Sequence, residues 1–219
     1  MKKVGKFWLP DEDTYFKPFL EDSEGFELGH LEMVLKYVKN FSVAVDGGAH
    51  VGSWSRYMAK RFKQVYAFEC NPETYDCLSK NTEAAINIVP MQAGLGQQDG
   101  AMVLTKDPKR EGNTGSYYLG ATSGKQLQAN YCNVIALDRL KLTTLDLLKL
   151  DVEGYEWYAL QGAEATILKH RPTIMIERKK FPGRYYATET DAHEYILSLG
   201  YVERDHFRND YVYTPCLEY

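Results

Sequence analysis

Residues 43–52 read Val-Ala-Val-Asp-Gly-Gly-Ala-His-Val-Gly, and they have the pattern of a strand that runs into a glycine turn. The apolar run over residues 41–45 predicts a buried parallel strand, because glycines follow it at once. A helical pattern follows over residues 53–62. This order predicts a ligand-binding loop, since glycine lets the backbone approach a ligand and a helix start presents free N–H groups.

Alternating strands and helices continue on both sides of this loop. Strands are predicted over residues 64–68, 86–93, 145–150 and 173–176, and helices over residues 30–39, 72–81, 156–169 and 191–199, with Gly200 ending the last. The chain closes in a predicted hairpin, residues 201–202 and 211–213 around Asn209-Asp210. The alternation predicts an α/β fold with a doubly wound, mostly parallel sheet and an antiparallel strand at its end.

The 219 residues suit a single domain with an elaboration. We expect one domain over residues 1–219, with a lead-in and helix over 1–40 and a core over 41–219. The first 25 residues are expected to be irregular. Residues 94–144 interrupt the alternation with a glycine-rich excursion, far longer than a typical connection of ~2–6 residues. This excursion is either an extra hairpin or a cover over an active site.

Composition excludes several classes of protein. The chain is 44% hydrophobic with a net charge of −4, which excludes intrinsic disorder and disfavours nucleic acid as a partner. A membrane span of roughly 18–20 apolar residues and a secretory signal are both missing. The four cysteines form no CxxC pair, which disfavours a zinc site and disulfides. A cytoplasmic protein with free thiols is expected.

The glycine loop is unlike the common nucleotide motifs. It reads Asp46-x-Gly48-x-x-x-Gly52, which is not G-x-G-x-x-G and lacks the lysine of a P-loop. Glu69 ends the next strand 17 residues later, where it could accept hydrogen bonds from two ribose hydroxyls. An acid just before the turn suits a ligand with positive charge, such as S-adenosylmethionine, and would repel the diphosphate of NAD.

Three blocks resemble the FkbM-type S-adenosylmethionine-dependent methyltransferases. They are VAVDGGAHVGSWS, VYAFECNPETYDCLSKN and LLKLDVEGYEWYALQGAEATILKHRPTIMIE, and they cover most of residues 43–177 in the family's order. The chain departs from the family pattern at His50, where Asn is usual, and at Asn71, where Pro is usual. Those departures bear on contacts with the cofactor and not on the fold.

The resemblance implies a class I methyltransferase fold, a Rossmann-like three-layer sandwich with a seven-stranded sheet. Family members methylate mostly hydroxyls, often on sugars or polyketide-like products. The glycine loop would line the methionine part of S-adenosylmethionine, Glu69 would bind its ribose, and the turn near Ala93 would approach its adenine. The expected cofactor-binding set is Asp46, Gly47, Gly48, Ala49, His50, Gly52, Glu69, Cys70, Ala93, Gly94 and Asp151.

A general base is expected because a sugar hydroxyl is a poor nucleophile. Asp151, at the end of the fourth strand, is the first choice, and Glu153 and Glu177 are the others. Each has a structural alternative, such as capping a helix or favouring its N-terminus. His50 could act as the base, but loop packing or cofactor contact is favoured. The three acids could also bind a metal, although no metal is expected.

The acceptor site is expected to have two rims. These are residues 113–118 and residues 178–186, whose tyrosines could stack on sugar rings and whose cations could bind an acid group. A solvated loop is the alternative for the second rim. The remaining histidines are expected to be ordinary residues: His30, His170, His193 and His206.

The leading hypothesis is therefore an O-methyltransferase for a sugar, glycan or small molecule. An NAD-dependent oxidoreductase and a non-catalytic S-adenosylmethionine-binding module are the alternatives. Amino-group methylation of nucleic acid is disfavoured, because the fourth strand ends in Leu150-Asp151-Val152-Glu153-Gly154 and not in (Asn/Asp)-Pro-Pro-(Tyr/Phe). A homodimer is compatible with this hypothesis.

Overall fold

The computed structural model describes residues 1–21, 23, 25–120, 131–181, 184–185 and 188–216. Within them the strands are β1 (Lys2–Val4), β2 (Phe7–Leu9), β3 (Val43–Gly47), β4 (Gln64–Phe68), β5 (Ile88–Met91), β6 (Gly94–Leu95), β7 (Gly100–Lys106), β8 (Tyr117–Gly120), β9 (Tyr131–Ile135), β10 (Leu147–Leu150), β11 (Thr173–Glu177), β12 (Tyr201–Phe207) and β13 (Asp210–Pro215). The helices are α1 (Lys17–Leu20), α2 (Leu28–Leu35), α3 (Ser53–Met58), α4 (Pro72–Thr82), α5 (Glu156–Gln161), α6 (Glu164–His170) and α7 (Glu189–Ser198).

The large sheet has seven strands in the order β12-β13-β11-β10-β3-β4-β5. Five neighbouring strands, β11, β10, β3, β4 and β5, run parallel to one another, and β13 pairs antiparallel with β11. Alternate residues pack into opposite layers, with Leu148 in the core that includes Ile167 and Leu147 in the core that includes Met58. Helices therefore cover both faces, and the predicted doubly wound sheet with its antiparallel hairpin is confirmed.

The pairing register brings the carboxyl ends of the parallel strands to one edge. Gly47 lies opposite Phe68 of β4 and Leu150 of β10. Leu150 lies in turn opposite Ile176 of β11. The chain leaves the sheet at this edge next to Gly48, Glu69, Asp151 and Glu177. Because β13 runs the other way, it begins at the same edge, where Asp210 is paired with Glu177.

The excursion is larger than an extra hairpin. It forms a second sheet of four strands in the order β6-β9-β7-β8. An isolated hairpin is only marginally stable, and here further strands build a small core of Leu104, Leu119, Cys132 and Val134. Residues 121–130 of the glycine-rich excursion, including Gly124, lie outside the described residues.

The lead-in is ordered, so the expectation of an irregular segment is wrong. β1 and β2 form an antiparallel hairpin, and α1 follows it. Phe7, Leu9 and Leu20 are fully buried in a core that also contains Val51 of the glycine loop. These elements are too short to show the hydrophobic periodicity of a strand or a helix in the sequence. Their apolar side chains nevertheless pack them against the glycine loop.

The helix predicted over residues 156–169 is divided into α5 and α6. A side chain at Gly162 would place its Cβ 1.9 Å from the carbonyl oxygen of Gly96, so the chain must pass there as bare backbone. Asp138 stabilises the break between α5 and α6 through two sets of hydrogen bonds. Its N–H donates to the Gly162 carbonyl at 2.9 Å, and its carboxylate accepts the N–H groups of Ala165 and Thr166 at 3.0 and 2.8 Å. Among the described residues, no helix has the length and apolar character needed to cross a membrane.

Candidate active site

A cavity of about 610 Å³ opens at the carboxyl edge of the large sheet. Its walls come from the glycine loop after β3, the ends of β4, β10 and β11, the lead-in, and the second sheet. The volume lies in the range of ~300–1,000 Å³ found for small-molecule sites. The excursion is thus both an additional sheet and one wall of the cavity.

The glycine loop is fixed by its own backbone. Gly48 has φ +76°, and a Cβ there would lie 1.8 Å from the carbonyl oxygen of Asp151, so no larger residue fits. The N–H groups of Gly48 and Ala49 both donate to the Phe68 carbonyl, at 3.0 and 2.8 Å. These two N–H groups are therefore unavailable to a ligand. What the loop provides is a backbone without side chains at Gly48, which a ligand can approach closely.

Glu69 is held rigidly on the cavity wall. Its Oε2 accepts the N–H of His50 and its Oε1 accepts the N–H of Asn71, both at 2.8 Å. Burial raises the pKa of Glu69, and these N–H groups oppose that rise. Each carboxylate oxygen keeps a second lone pair, so the group can accept hydrogen bonds from two neighbouring hydroxyls.

A buried ion pair supports the loop from beneath. The fully buried Asp46 has its Oδ1 3.0 Å from Lys149 Nζ, and its Oδ2 accepts the Ser55 hydroxyl at 2.6 Å. Lys149 Nζ also donates to the carbonyls of Gly47 and Gly48, at 3.2 and 2.8 Å. Burial by itself would lower the pKa of Lys149, but Asp46 and Asp151 raise it above its usual range. The lysine is therefore a permanent cation under the loop.

The structure brings most of the predicted cofactor residues to the cavity. The members on its wall are Gly48, Ala49, His50, Glu69, Cys70, Ala93, Gly94 and Asp151. Asp46, Gly47 and Gly52 do not line it: Asp46 is paired with Lys149, and the two glycines face Leu150 and Leu78. The negative charge of Asp46 is thus neutralised by Lys149 below the loop. Of the predicted cofactor-binding acids, Asp151 and Glu69 are the ones whose carboxylates a bound ligand would contact.

The three predicted catalytic acids are brought together. Asp151, Glu153 and Glu177 each have an oxygen within 4.8 Å of the others. Lys179 forms an ion pair with Glu177, and Arg110 and Arg184 contact Glu153 at 3.2 and 3.3 Å. These oxygens could bind a divalent cation, but the three side-chain cations already balance their charge.

Asp151 and Glu177 differ in basicity. Burial would raise the pKa of Asp151, but Lys149 and Lys179 outweigh it and hold that pKa below its usual value. Burial and then the charge of Asp151 raise the pKa of Glu177 well above its usual value. Within the part of the chain that the structure describes, Glu177 Oε2 is sealed from solvent and has no hydrogen-bond partner, while Lys179 contacts the other side of the carboxylate.

His50 connects three segments of the chain. Its Nε2 is 2.8 Å from the Thr114 hydroxyl, which lies 2.5 Å from Asp13 Oδ2. Its ring also lies against Phe16 of the lead-in, with centroids 4.4 Å apart. Burial lowers the pKa of His50 to about 4, so the ring is neutral at neutral pH. These contacts favour the packing role over the role of a base.

Sequence reasoning missed two groups at the site. His30, treated as an ordinary residue, is buried on the cavity wall with Nδ1 2.5 Å from Asp210 Oδ2. The two residues are 180 positions apart, so no local pattern could join them. Lys149 did leave a signal, because it is a single cation inside the otherwise apolar run of β10.

The acceptor rims are only partly as predicted. Tyr117 and Tyr118 line the cavity with Asn113, while Tyr185 does not line it. The ring of Tyr185 packs against Tyr155, with centroids 5.2 Å apart. Tyr186 lies outside the described residues. Arg184 links the two rims, because its guanidinium carbon lies 3.9 Å from the centroid of the Tyr118 ring.

Comparison with known proteins places this site in a family. A family model described as the methyltransferase FkbM domain matches residues 46–203, which contain the glycine loop, Glu69 and Asp151. The chain belongs to the FkbM methyltransferase family. The family resemblance of the sequence is thereby confirmed.

Three curated relatives of this FkbM protein are methyltransferases by name. Methyltransferase 1 of Beauveria bassiana is 29% identical over 146 residues, covering 56% of this chain and 59% of the relative. Methyltransferase sdnD of Sordaria araneosa is 30% identical over 154 residues, covering 55% and 60%. Hexuronic acid methyltransferase AglP of Haloferax volcanii is 25% identical over 139 residues, covering 60% and 54%. The chain thus spans a little over half the length of these relatives.

Solved structures show the same fold. Methyltransferase FkbM from Methylobacillus flagellatus superposes with a TM-score of 0.53 at 21% identity, covering 80% of this chain and 43% of that one. SMU.1697c, a methyltransferase from Streptococcus mutans in complex with S-adenosylhomocysteine, gives a TM-score of 0.50 at 11% identity, covering 85% of this chain and 94% of that one. The class I methyltransferase fold of this FkbM chain is confirmed.

Proposed function

We propose that this protein transfers the methyl group of S-adenosylmethionine to a hydroxyl of a sugar or another small polar acceptor. The observation that carries the proposal is the fixed Glu69 carboxylate beside the glycine loop, with Asp151 on the wall of the same cavity. Glu69 is anchored by two N–H groups and still has lone pairs for two adjacent hydroxyls, as a ribose presents. The acidic Asp151 suits a cofactor that carries positive charge.

The cavity residues suit S-adenosylmethionine better than a dinucleotide. A diphosphate is normally held by free N–H groups at a glycine loop, but those of Gly48, Ala49 and His50 already have acceptors. Gly48 and Ala49 would contact the methionine part, Glu69 the ribose, and Ala93 and Gly94 the adenine. When bound, S-adenosylmethionine supplies a methyl group on a sulfonium, which is the electrophile of the reaction.

The acidic edge of the sheet is proposed as the acceptor site. Asp151 is our proposed catalytic residue in the sense that its carboxylate accepts a hydrogen bond from the acceptor and so orients the neighbouring hydroxyl that reacts. Glu153 and Glu177 lie beside it on the cavity wall, where Arg110, Arg184 and Lys179 pair with them. The low pKa of Asp151 makes it a good hydrogen-bond acceptor but a weak proton acceptor, so a stronger base is needed to complete the reaction.

A sugar acid is the acceptor that we propose to examine first. One relative is named a hexuronic acid methyltransferase, and Arg110 and Lys109 line the cavity here, where they could meet a carboxylate. We also propose action in the cytoplasm, which the four unpaired cysteines support. A homodimer stays a prediction.

We expect Asp151→Asn to separate catalysis from cofactor binding. Methyl β-D-glucopyranosiduronic acid and methyl α-D-glucopyranoside would be incubated with isotope-labelled S-adenosylmethionine and analysed by mass spectrometry. The variant should bind S-adenosylhomocysteine within about threefold of wild type but transfer methyl at least ~10²-fold more slowly. If Asp151→Asn lost cofactor binding as completely as Glu69→Ala, Asp151 would be a cofactor ligand and not a catalytic residue.

A further inference from the structure

We propose that His30, oriented by Asp210, is the general base that takes the proton from the acceptor hydroxyl. The inference rests on the proposed methyl transfer to oxygen and adds to it the group that the acidic edge lacks. His30 lies in α2 and Asp210 begins β13, so two segments far apart in the chain form one pair at the cavity.

The acids near His30 fix the position of its proton. Nδ1 lies 2.5 Å from Asp210 Oδ2 and 3.8 Å from Glu27 Oε2. His30 and Asp210 are 8% and 6% exposed, so water competes little for this contact. With two carboxylates on one side, the neutral ring carries its proton on Nδ1 and leaves a lone pair on Nε2. That is the tautomer a general base requires.

The other nitrogen of His30, Nε2, is free of the acids that face Nδ1. Among the described residues Nε2 has no hydrogen-bond partner, and it is not one of the buried polar atoms sealed from solvent. His30 itself lies on the cavity wall, and its ring packs against Phe207 with centroids 4.4 Å apart. The phenyl ring and Asp210 hold the imidazole in place on the cavity wall.

The order of the strands places the acceptor between the cofactor loop and this pair. The glycine loop follows β3, the acidic residues follow β10 and β11, and Asp210 begins β13. Neighbouring strands lie ~4.8 Å apart, so Asp210 is roughly 10 Å across the sheet from the strand that ends at Asp151. An acceptor bound to Asp151 through one hydroxyl would have the cofactor loop on one side and would turn its reacting hydroxyl toward His30.

Charged groups surround the His30–Asp210 pair. Asp210 and Glu27 face its Nδ1, Arg208 lies 3.9 Å from Glu27, and Asp151 and Lys179 act from the neighbouring strand ends. Burial and the charge of Asp151 raise the pKa of Asp210 to about 6, so it is ionised above neutral pH. An ionised Asp210 would stabilise the imidazolium that forms.

The step balances without a further reactant. As the acceptor oxygen forms its bond to the methyl carbon, the carbon–sulfur bond breaks and its electron pair stays on sulfur. The O–H proton moves to His30 Nε2. The products are the methyl ether, S-adenosylhomocysteine and an imidazolium, which then releases its proton to water.

The proposal is tested with His30→Gln and Asp210→Asn, and with His206→Gln as a matched control. His206 is exposed on β12 and stacks on Tyr211, away from the cavity wall. All proteins are first titrated with S-adenosylhomocysteine. If wild type did not bind it, the proposed function itself would fail, whereas the inference about His30 is decided by the measurements on the variants.

Two measurements then decide the inference. In ¹⁵N NMR at pH 8, the His30 ring should carry its proton on Nδ1 and none on Nε2. A proton on Nε2 would overturn the proposal. This measurement requires no acceptor substrate. In methyl transfer to methyl β-D-glucopyranosiduronic acid, His30→Gln should keep its affinity for S-adenosylhomocysteine, but its kcat should fall ~10²–10⁴-fold. Asp210→Asn should lose at least ~10-fold. A His30→Gln kcat within threefold of the His206→Gln control would overturn the proposal.

Discussion

Replacing Lys149 with methionine should lower the free energy of unfolding by about 3–5 kcal/mol, measured by urea denaturation. The change leaves Asp46, which has no exposed surface, without its counter-charge in the middle of the sheet. It also removes the donor to the carbonyls of Gly47 and Gly48. Because these carbonyls belong to the glycine loop, affinity for the cofactor should fall together with stability.

Two controls separate the buried charge from the loss of a side chain. Lys63→Met removes an exposed lysine before β4 and should change stability by less than about 0.5 kcal/mol. Adding Asp46→Asn to Lys149→Met removes the unpaired charge and should restore part of the loss. If Lys149→Met were as stable as Lys63→Met, the ion pair would not support the loop.

Replacing Glu69 with alanine should raise the dissociation constant of S-adenosylhomocysteine by about 10²-fold or more, measured by calorimetry. Each hydrogen bond to a charged group contributes about 1.5–3 kcal/mol, and the carboxylate is placed to accept two from ribose. The variant also frees the N–H groups of His50 and Asn71, which now fix the loop. Loss of binding therefore has a direct and an indirect cause.

Glu73→Ala is the matched control, because Glu73 is an exposed acid four residues further along the chain, in the first turn of α4. It should bind S-adenosylhomocysteine as wild type does. Glu69→Gln keeps the shape and one carbonyl oxygen, so its affinity should lie between wild type and Glu69→Ala. Binding by Glu69→Ala within threefold of wild type would remove Glu69 from the cofactor site.

The central sheet and its carboxyl edge could be predicted because their signals are local. The apolar run before Gly48 and the acids Glu69, Asp151 and Glu177 each mark the end of a parallel strand. Parallel strands that end in register must bring these residues to one edge. The same reasoning predicted the terminal hairpin and the helix that ends before Gly200, whose φ of +76° favours glycine.

The rest of the site depends on contacts between distant parts of the chain. Asp13, Thr114 and His50 meet only because the lead-in and the second sheet both fold over the loop. His30 and Asp210 are joined across nearly the whole sequence. Asp46 was expected to face a ligand, but Lys149 on the neighbouring strand takes its charge, and strand pairing of that kind has no local signature.

Thermal shift with S-adenosylhomocysteine and with NADH tests the central claim most directly. A cavity built around Glu69 and the glycine loop should be stabilised by S-adenosylhomocysteine, with a melting temperature that rises with ligand concentration, and not by NADH. Glu69→Ala should abolish the shift. Stabilisation of the wild-type protein by NADH and not by S-adenosylhomocysteine would contradict the proposal that this site binds S-adenosylmethionine.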